Sequence, residues 1–389
     1  MDQPTTRKNA RIDVADVLRG LAVMGIIVLH SIEHFNFGSY PDTSAQSAWL
    51  NFTDKAIWDG LFFMFGGKAY AVFALLFGFS FFIQDNNQQM KGKDFRLRFC
   101  WRLILLFLFG NLNASFFTAE VLVLYSLVGF ILVPTCRLSD KTVLILACLL
   151  LIQPLPLYYT LRATFDPTYT PLTIPTRELW MTTYQSQMNG TFLETLRTNL
   201  WEGQLASLAW AWDHGRVFQT AALFLLGMLA GRRRLFLQEA LPVWNKICAG
   251  AIIAFFPLYG INNLLPQFIE NRSILVPLSL IISSLANFAF MLMLVSGVLF
   301  MYYRTRMQSL LRKIIPYGKM SLTNYITQSI IGSFLFYHWG LGLHNHLTIT
   351  ASCLTGIVLF FLQWKCCDWW MKHHDHGPLE YLWKRATWL

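Results

Sequence analysis

Long apolar segments alternate with polar or basic stretches along the whole chain. A helix needs about 20 predominantly apolar residues to cross the hydrocarbon core of a bilayer, and ten segments approach that length. Because lipid offers the backbone no hydrogen-bond partners, such segments form helices. The pattern predicts an all-α, polytopic membrane bundle of about ten transmembrane helices. The ten segments are 16–34, 67–84, 101–117, 119–135, 142–159, 217–232, 245–263, 275–302, 320–338 and 348–366.

The residues just before the second segment, 51–66, begin with an amphipathic pattern. Amphipathic helices lie in the plane of the membrane interface, with the apolar face toward the lipid. We therefore expect this stretch to rest at the membrane surface ahead of the second span.

The distribution of Lys and Arg predicts how the bundle is oriented. Cytoplasmic loops carry an excess of these residues. If the N-terminus is cytoplasmic, all but seven of the 31 Lys and Arg residues fall in cytoplasmic segments. Both termini are then cytoplasmic, which agrees with an even number of spans. The seven exceptions are Lys55, Lys68, Arg162, Arg177, Arg197, Arg216 and Arg272.

Composition supports a membrane protein and gives the net charge a topological meaning. Of 389 residues, 55% are hydrophobic and 13% are charged, against about 25% charged in soluble domains. The net charge of +10 comes mainly from Lys and Arg in the predicted cytoplasmic loops. Because this distribution reflects membrane topology, we expect no nucleic-acid partner. The seven cysteines form no Cys-x-x-Cys pair and are interpreted as reduced structural thiols. No cleavable signal peptide is expected ahead of the first span.

The chain divides into three parts on this pattern. Residues 1–159 form an N-terminal transmembrane half, residues 160–216 an extracytoplasmic loop, and residues 217–389 a C-terminal transmembrane half. The loop is polar, rich in aromatic residues and too long for a simple connection. It is either a lid or acceptor-binding surface, or a helical excursion along the interface.

The first span ends on a cluster of ionisable residues, His30, Glu33 and His34, which share one helical face. Ionisable groups in or near lipid are costly and mark functional sites. A neutral imidazole can accept a proton from a hydroxyl or amine, and a carboxylate can orient it. At the other end of the span, Arg19 either anchors the helix at the membrane surface or binds a ligand. We predict a catalytic group at the extracytoplasmic mouth.

Residues 30–34 also spell His-x-x-Glu-His, a motif in which both histidines bind zinc and the glutamate is the base. A third ligand would be required, and Glu120 is the one attractive distant carboxylate on that side. No other zinc feature accompanies the motif, so we expect no metal and keep a zinc peptidase as a third alternative.

A polar stripe runs along the ninth span, where Ser321, Asn324 and Gln328 recur at helical spacing. Polar side chains within a membrane turn toward the bundle interior or a wet cavity. The stripe either holds neighbouring helices together through polar contacts or forms the wall of a cavity. Lys319 and Tyr325 in the same stretch favour a cavity that binds substrate or donor.

Two further basic residues have both a structural and a binding interpretation. Lys68 follows a pair of glycines at the outer end of the second span, where it can reach the interface or offset the charge of Glu33 or Glu120. Arg232 opens a run of three arginines at a cytoplasmic boundary. It either anchors the helix or attracts a phosphate-rich donor, because guanidinium groups fork onto phosphates.

Several blocks of the chain resemble the YeiB family of bacterial inner-membrane proteins, whose C-terminal part is catalogued as domain of unknown function 418. The resemblance covers almost the whole chain, and the C-terminal blocks are the specific ones. The blocks are DVLRGLAVMGIIVLH (16–30), FALLFGFSF (73–81), EVLVLYSLVGFILVP (120–134), FLLGMLAGR (224–232), YGKMSLTNYITQSIIGSFLFYHWGLGL (317–343) and GPLEYLWKRATW (377–388).

That family is similar to a wider set of membrane acyltransferases, among them lysosomal heparan glucosaminide N-acetyltransferase and the bacterial acyltransferase-3 proteins. In acyltransferase-3 proteins a catalytic His follows the Arg of the first span by eleven positions, which corresponds to His30 after Arg19. YeiB-type proteins often carry Asn there, and so does the glucosaminide enzyme, whose active His lies farther on. Where they often carry a His and an Asp, this chain has Asn113 and Glu120. The resemblance therefore leaves His30 and His34 both open as the base.

The resemblance implies a multi-pass acyltransferase of the bacterial inner membrane. Acyl-CoA, with acetyl-CoA the expected donor, would bind from the cytoplasm, and a sugar or lipid-linked hydroxyl or amine would be the acceptor. Asn324 or Gln328 would donate to the developing oxyanion. The main alternative is a transporter or exporter of a small polar solute. The residues leave the oligomeric state open, with a homodimer among the alternatives.

Overall fold

The computed structural model describes residues 12–33, 35–37, 43–166, 168–171 and 174–388, and these ranges contain helices and no strand. The helices are α1 Asp13–Ile32, α2 Ala48–Phe65, α3 Ala69–Gln89, α4 Arg96–Ala114, α5 Leu122–Val128, α6 Leu132–Thr135, α7 Asp140–Leu151, α8 Pro154–Phe165, α9 Thr176–Asn189, α10 Phe192–Thr198, α11 Gln204–Asp213, α12 Arg216–Arg232, α13 Leu241–Phe268, α14 Arg272–Arg304, α15 Gln308–Arg312, α16 Ile315–Lys319, α17 Ser321–Phe336, α18 Ile349–Met371 and α19 Pro378–Thr387.

Six helices in the described ranges are long and apolar enough to cross a membrane. A seventh candidate consists of α7 and α8, which meet at a bend of 49°. The remaining apolar helices are shorter: α5 to α6 spans Leu122–Thr135, α12 has 17 residues and α17 has 16. The all-α prediction is confirmed. The six candidates are Asp13–Ile32, Ala48–Gln89, Arg96–Ala114, Gln238–Phe268, Arg272–Arg304 and Ile349–Met371.

The helix α1 occupies the centre of the bundle, where it packs against α3, α16, α17 and α18. Its apolar residues surround the helix, as expected of a segment buried on every side. Glycines allow the closest of these contacts. A Cβ added at Gly318 of α16 would collide with the backbone oxygen of Asp16, so the start of α1 is held directly against α16.

Interlocking glycines also join α3 to α12. A Cβ at Gly78 would collide with the carbonyl of Phe224, and one at Gly227 would collide with the carbonyl of Leu75. Small residues at a membrane helix interface let two backbones approach closely and gain van der Waals contact. This parallel pair places Arg232 beside the end of α3 and Arg216 beside its start. We call the end of the bundle that carries Arg232 the basic end, and the end that carries Arg216 the opposite end.

The segment 160–216 is largely helical. It contains the end of α8, the helices α9, α10 and α11, and a π-helical turn at Asn199–Gly203. The Gln187 amide joins the parts, donating to Asn199 Oδ1 at 2.9 Å and to the Thr118 hydroxyl at 3.4 Å. Asn199 in turn donates to the Ser115 carbonyl at 3.0 Å. These buried bonds fasten the segment onto the loop after α4.

The C-terminal helix α19 closes one side of the basic end. Glu380 accepts hydrogen bonds from the backbone N–H groups of Leu322 and Thr323, at 2.8 and 3.0 Å, and from the Thr323 hydroxyl at 2.6 Å. It thereby caps the N-terminus of α17, where a negative charge is favoured by the helix dipole. At its far end α19 is tied to α4, because the Arg98 guanidinium donates to the Thr387 carbonyl at 2.6 Å.

Candidate functional site

A cavity of about 1350 Å³ opens at the basic end, between α1, α3, α4, α12, α17 and α19. We call it the basic cavity, because cations outnumber carboxylates along its wall. Clefts with one sign of charge and apolar walls focus the field and attract ligands of the opposite sign. Its charged residues are Arg19, Lys91, Arg102, Arg232, Arg234, Lys319 and Lys384, with the two carboxylates Asp16 and Glu380.

Arg19 is fixed in the wall of the basic cavity by two neighbours. Its guanidinium donates to Asp16 Oδ1 at 2.6 Å and to the Ser80 hydroxyl at 2.5 Å. The side chain of Asp16 is 1% exposed, whereas that of Arg19 is 20% exposed. The pair therefore presents the cation, not the carboxylate, to the cavity.

Arg232 has a structural role as well as a place in the cavity wall. Its guanidinium donates to the Cys136 carbonyl at 2.7 Å, the Leu138 carbonyl at 2.9 Å and Asp140 Oδ1 at 3.0 Å. It thus ties the end of α12 to the turn before α7. Because Asp140 offsets part of its charge, Arg232 contributes less to the field in the cavity than its position suggests.

The deep part of the basic cavity is apolar. Phe73, Phe77, Leu106, Leu122 and Tyr125 form its walls. A charged rim above an apolar depth suits a ligand with an anionic head and an extended apolar arm.

Five of the sequence-predicted site residues meet around this cavity. Arg19, Arg232, Lys319 and Ser321 lie at its charged end, and Tyr325 lies in its wall. Tyr325 is buried, with 3% of its surface exposed, and it interacts electrostatically with Glu120. The side chain therefore connects the cavity to a group of buried polar residues deeper in the bundle.

That group is built around the pair Asn113, in the last turn of α4, and Glu120, two residues before α5 begins. The Asn113 amide donates a hydrogen bond to Glu120 Oε2, and Glu120 Oε1 accepts one from the backbone N–H of Leu122. Both side chains are buried, at 0% and 4% exposure. A buried carboxylate is tolerated only when such donors satisfy it.

His30 lies beside this pair. Its ring stacks on Phe117 with 4.4 Å between ring centroids and 28° between the planes. The backbone N–H of Phe117 donates to the Asn113 carbonyl at 2.9 Å. The imidazole therefore packs on the turn that carries the buried amide and carboxylate. His34, the other candidate base, lies outside the described residues.

Glu33 directly follows the last residue of α1, and its backbone N–H donates to the Leu29 carbonyl at 3.0 Å. Burial, and next the charge of Glu33, raise the pKa of Tyr184 on α9 to about 12. Tyr184 packs against an aromatic layer that covers this end of α1, formed by Phe35, Phe37, Phe117, Phe336 and Tyr337. The segment 160–216 thus reaches the predicted acid/base group.

Three predicted residues have other surroundings. The Asn324 amide donates to the Tyr317 carbonyl at 3.0 Å, and its oxygen faces the Cys367 thiol at 3.2 Å, so it joins α16, α17 and α18. Gln328 is 1% exposed, and both polar atoms of its side chain lack a hydrogen-bond partner among the residues that the structure describes. Lys68 lies by the rings of Phe63 and Phe290 and interacts electrostatically with Arg216.

The zinc interpretation gains no support from these surroundings. Among the residues that the structure describes, no three His, Cys, Asp or Glu side chains are grouped to hold a metal ion. Glu120, the expected third ligand, is instead bonded to Asn113 and the Leu122 N–H. The seven cysteines are free thiols.

Sequence reasoning missed several cavity residues, among them Lys91, Arg102 and Lys384. The guanidinium of Arg102 lies 4.1 Å from the centre of the Trp383 ring on α19. The strong amphipathic pattern of Pro378–Thr387 was the available signal, because such a helix must cover an apolar surface of the protein or the membrane.

Residues 230–389 match the profile of a family described as "Protein of unknown function (DUF418)". Over its full length the chain is 28% identical to the uncharacterized protein YxaH of Bacillus subtilis, covering 96% of that protein. It is 23% identical to an uncharacterized 39.9 kDa protein encoded in the amylase 3' region of Bacillus acidopullulyticus, with 97% of this chain and 94% of the relative covered.

A shorter match, 35% identical over 74 residues and 18% of each chain, joins it to the uncharacterized protein YeiB of Escherichia coli. No solved structure matches. The family profile and the YeiB match support the resemblance found in the sequence. With six long apolar helices, the chain is a helical membrane protein similar to these relatives.

Proposed function

We propose that the protein is a membrane acyltransferase that takes an acyl group from acyl-CoA, with acetyl-CoA the expected donor. The observation that carries the proposal is the basic cavity, with its cationic rim and apolar depth. A coenzyme A thioester has the matching shape: phosphates at one end and an extended, uncharged arm that ends in the acyl group. Its phosphates would contact Arg19, Lys319 and their neighbours, because charge-assisted bonds to phosphate are among the strongest available.

The acyl group would be transferred near His30. The hydroxyl or amine of a sugar or lipid-linked acceptor attacks the thioester carbonyl, and His30 accepts the proton that the nucleophile loses. The new C–O or C–N bond forms as the C–S bond breaks, and the thiolate leaves with the coenzyme and is protonated. Glu33 would orient the base, with His34 the alternative base.

The unpaired amide of Gln328 is the better candidate for the oxyanion donor. Its polar atoms have no hydrogen-bond partner in the described ranges, whereas the amide of Asn324 donates to the Tyr317 carbonyl. Gln328 lies one helical turn from Tyr325 on α17, which faces Glu120. A donor aimed at developing charge stabilises the transition state when it does not have to break an existing bond first.

The proposal includes ten membrane crossings, both termini in the cytoplasm, and the bacterial inner membrane as the location. The Lys and Arg bias supports the basic end as the cytoplasmic one. Counting α5–α6, α7–α8, α12 and α17 with the six long candidates gives the ten crossings. The helices α9, α10 and α11 then lie outside.

A transporter of a small polar solute remains the second candidate, because two candidate spans are interrupted. The helices α7 and α8 meet at 49°, and the turn Gly66–Gly67 separates α2 from α3. Broken helices at mid-membrane are typical of transport sites.

The test is release of free thiol from acetyl-CoA by the reconstituted protein, in the presence of membrane-derived glycolipid and sugar acceptors. Acyltransfer predicts thiol release that depends on acceptor and falls in His30→Ala. The control is His346→Ala, an exposed histidine at the same end. If thiol release matches protein-free vesicles while a solute is carried across the bilayer, the transporter replaces the proposal.

A further inference from the structure

Two cations, Lys68 and Arg216, lie together in the half of the bundle away from the basic cavity. Lys68 is 7% exposed, and it interacts electrostatically with Arg216. Within the described part of the chain, neither forms an ion pair with a carboxylate. Buried charges in proteins are normally paired, because desolvation of an isolated ion costs several kcal/mol. Two like charges side by side raise that cost further.

The space between the cations is kept open by Gly67. This residue has a φ of +72°, and a Cβ built there would lie 3.1 Å from Asn287 Nδ2 and 3.3 Å from Arg216 Nη2. A side chain would therefore fill the gap that these two donors face. No hydrogen bond joins the Asn287 amide to another described residue. Lys68 is the next residue in the chain, and its charge interacts with that of Arg216, so a third donor lies in the same region.

The donors are held in place by neutral groups. The Arg216 guanidinium lies 4.5 Å from the ring of Tyr70 and donates through Nη1 to Gln219 Oε1 at 3.1 Å. This leaves Nη2 facing Gly67. The Lys68 ammonium lies 5.7 Å from the ring of Phe63 and 5.5 Å from that of Phe290. Aromatic faces and amide oxygens position both cations without neutralising them.

The α3 helix begins at Ala69, so its N-terminus adds to the positive potential at the same place. The free N–H groups and dipole of a helix N-terminus favour a negative charge. Two cations, an amide donor and a helix N-terminus all favour an anionic ligand. None of these groups carries a negative charge that could bind a cation.

We infer that Lys68, Arg216 and Asn287 form an oxyanion-binding site, for a phosphate or carboxylate group, in the half of the bundle opposite the basic cavity. The oxyanion belongs either to the headgroup of an anionic phospholipid or to a soluble ligand. The site does not depend on the proposed acyltransfer, and its test uses binding alone.

The test is thermal unfolding of the purified full-length protein, first delipidated in neutral detergent. Inorganic phosphate is added in one arm, and phosphatidylglycerol or phosphatidylcholine in mixed micelles in two others. A ligand that binds only the folded state raises the midpoint in proportion to the logarithm of its concentration above Kd. A shift with phosphate indicates a soluble ligand. A shift with phosphatidylglycerol but not phosphatidylcholine indicates a headgroup.

Substitutions separate this site from general anion effects. Lys68→Met should raise the midpoint without added anion, because it removes a buried unpaired charge, and should weaken anion binding at least about tenfold. Arg216→Gln should weaken binding similarly. The matched control is Lys55→Met, whose side chain is exposed and paired with Asp59.

The inference is overturned if neither anion shifts the midpoint of the unmodified protein. It is also overturned if Lys68→Met and Arg216→Gln keep the full shift. An equal loss in Lys55→Met would contradict it too, because the effect would then come from surface charge.

Discussion

The ring of His30 stacks on the ring of Phe117, with 4.4 Å between their centroids. Phe117 stands in the turn that brings Asn113 to Glu120, so the stack fixes the imidazole next to the buried polar group. His30 is also eleven residues after Arg19 on α1, a rise of about 16 Å along a helix. One helix therefore carries both a cation of the basic cavity and the candidate base, three turns apart.

Replacement of His30 by Ala should lower acyltransfer by about 10²–10⁴-fold, the usual contribution of a general base. Loss of the aromatic stack on Phe117 should lower the unfolding free energy by about 1 kcal/mol. Initial rates and thermal midpoints of the same preparations check both statements.

His346→Ala serves as the control and should change neither quantity. An equal rate in His30→Ala and the unmodified protein would remove His30 from the chemistry and transfer the role to His34.

Asn113→Ala should destabilise the fold by roughly 1–3 kcal/mol, because it leaves the buried Glu120 without one of its donors. Glu120→Gln in the same background should recover part of the loss, since a neutral amide costs less to bury than a carboxylate. The measurement is a double-mutant cycle of unfolding midpoints.

Asn263→Ala, at an exposed position of α13, is the control and should be neutral. If the two substitutions are strictly additive, the bond between Asn113 and Glu120 carries no coupling energy.

Glu380→Gln should release α19 from the N-terminus of α17, because a charged acceptor for two N–H groups and a hydroxyl becomes a neutral one. Hydrogen bonds to charged groups contribute about 1.5–3 kcal/mol. Amide exchange at Leu322 and Thr323 should accelerate, and acyl-CoA binding should weaken as one wall of the basic cavity loosens.

The exposed carboxylate of Glu239 provides a comparison, and Glu239→Gln should leave exchange at both amides unchanged. Unaltered exchange in Glu380→Gln would show that α19 is held by its contacts with α4 alone.

Cysteine labelling tests the proposed orientation. In a cysteine-free background, Glu178→Cys on α9 should react with an impermeant maleimide in intact cells, and Lys93→Cys between α3 and α4 should react only after lysis. Both positions are exposed, so accessibility follows membrane sidedness. The reverse pattern would place the basic cavity outside and rule out a cytoplasmic donor.

The helical framework follows closely from the sequence because long apolar runs have few alternatives in lipid. The first span was expected at 16–34 and is the helix Asp13–Ile32, and 275–302 lies within Arg272–Arg304. The segment 51–66 was expected at the interface, but α2 continues with α3 as one 42-residue candidate span. Its amphipathic start could not reveal the partner helices that it packs against.

The expected span 142–159 is broken, because Gln153 has a φ of +61° ahead of Pro154. A proline disfavours helical geometry in the residue before it, so this break was open to prediction from the sequence.

The candidate site was predicted in part. Spacing identified Ser321 and Tyr325 on the cavity side of α17, but it assigned Asn324 to the same wall, and this residue packs against α16 and α18. Periodicity shows which residues share a face but not which faces meet a cavity, because α17 has neighbours on several sides. Lys384 joins the cavity through the long-range docking of α19, which no local pattern encodes.

Binding of acetyl-CoA to the purified protein, measured by titration calorimetry, tests the central claim most directly. We predict saturable binding at one site per chain that weakens as salt is raised, because phosphate contacts at a partly open rim are screened. Lys319→Gln and Arg19→Gln should each raise Kd about tenfold or more, while Lys55→Gln should not. No heat of binding at millimolar acetyl-CoA, or equal Kd values in all four proteins, would contradict the assignment of the basic cavity as the donor site.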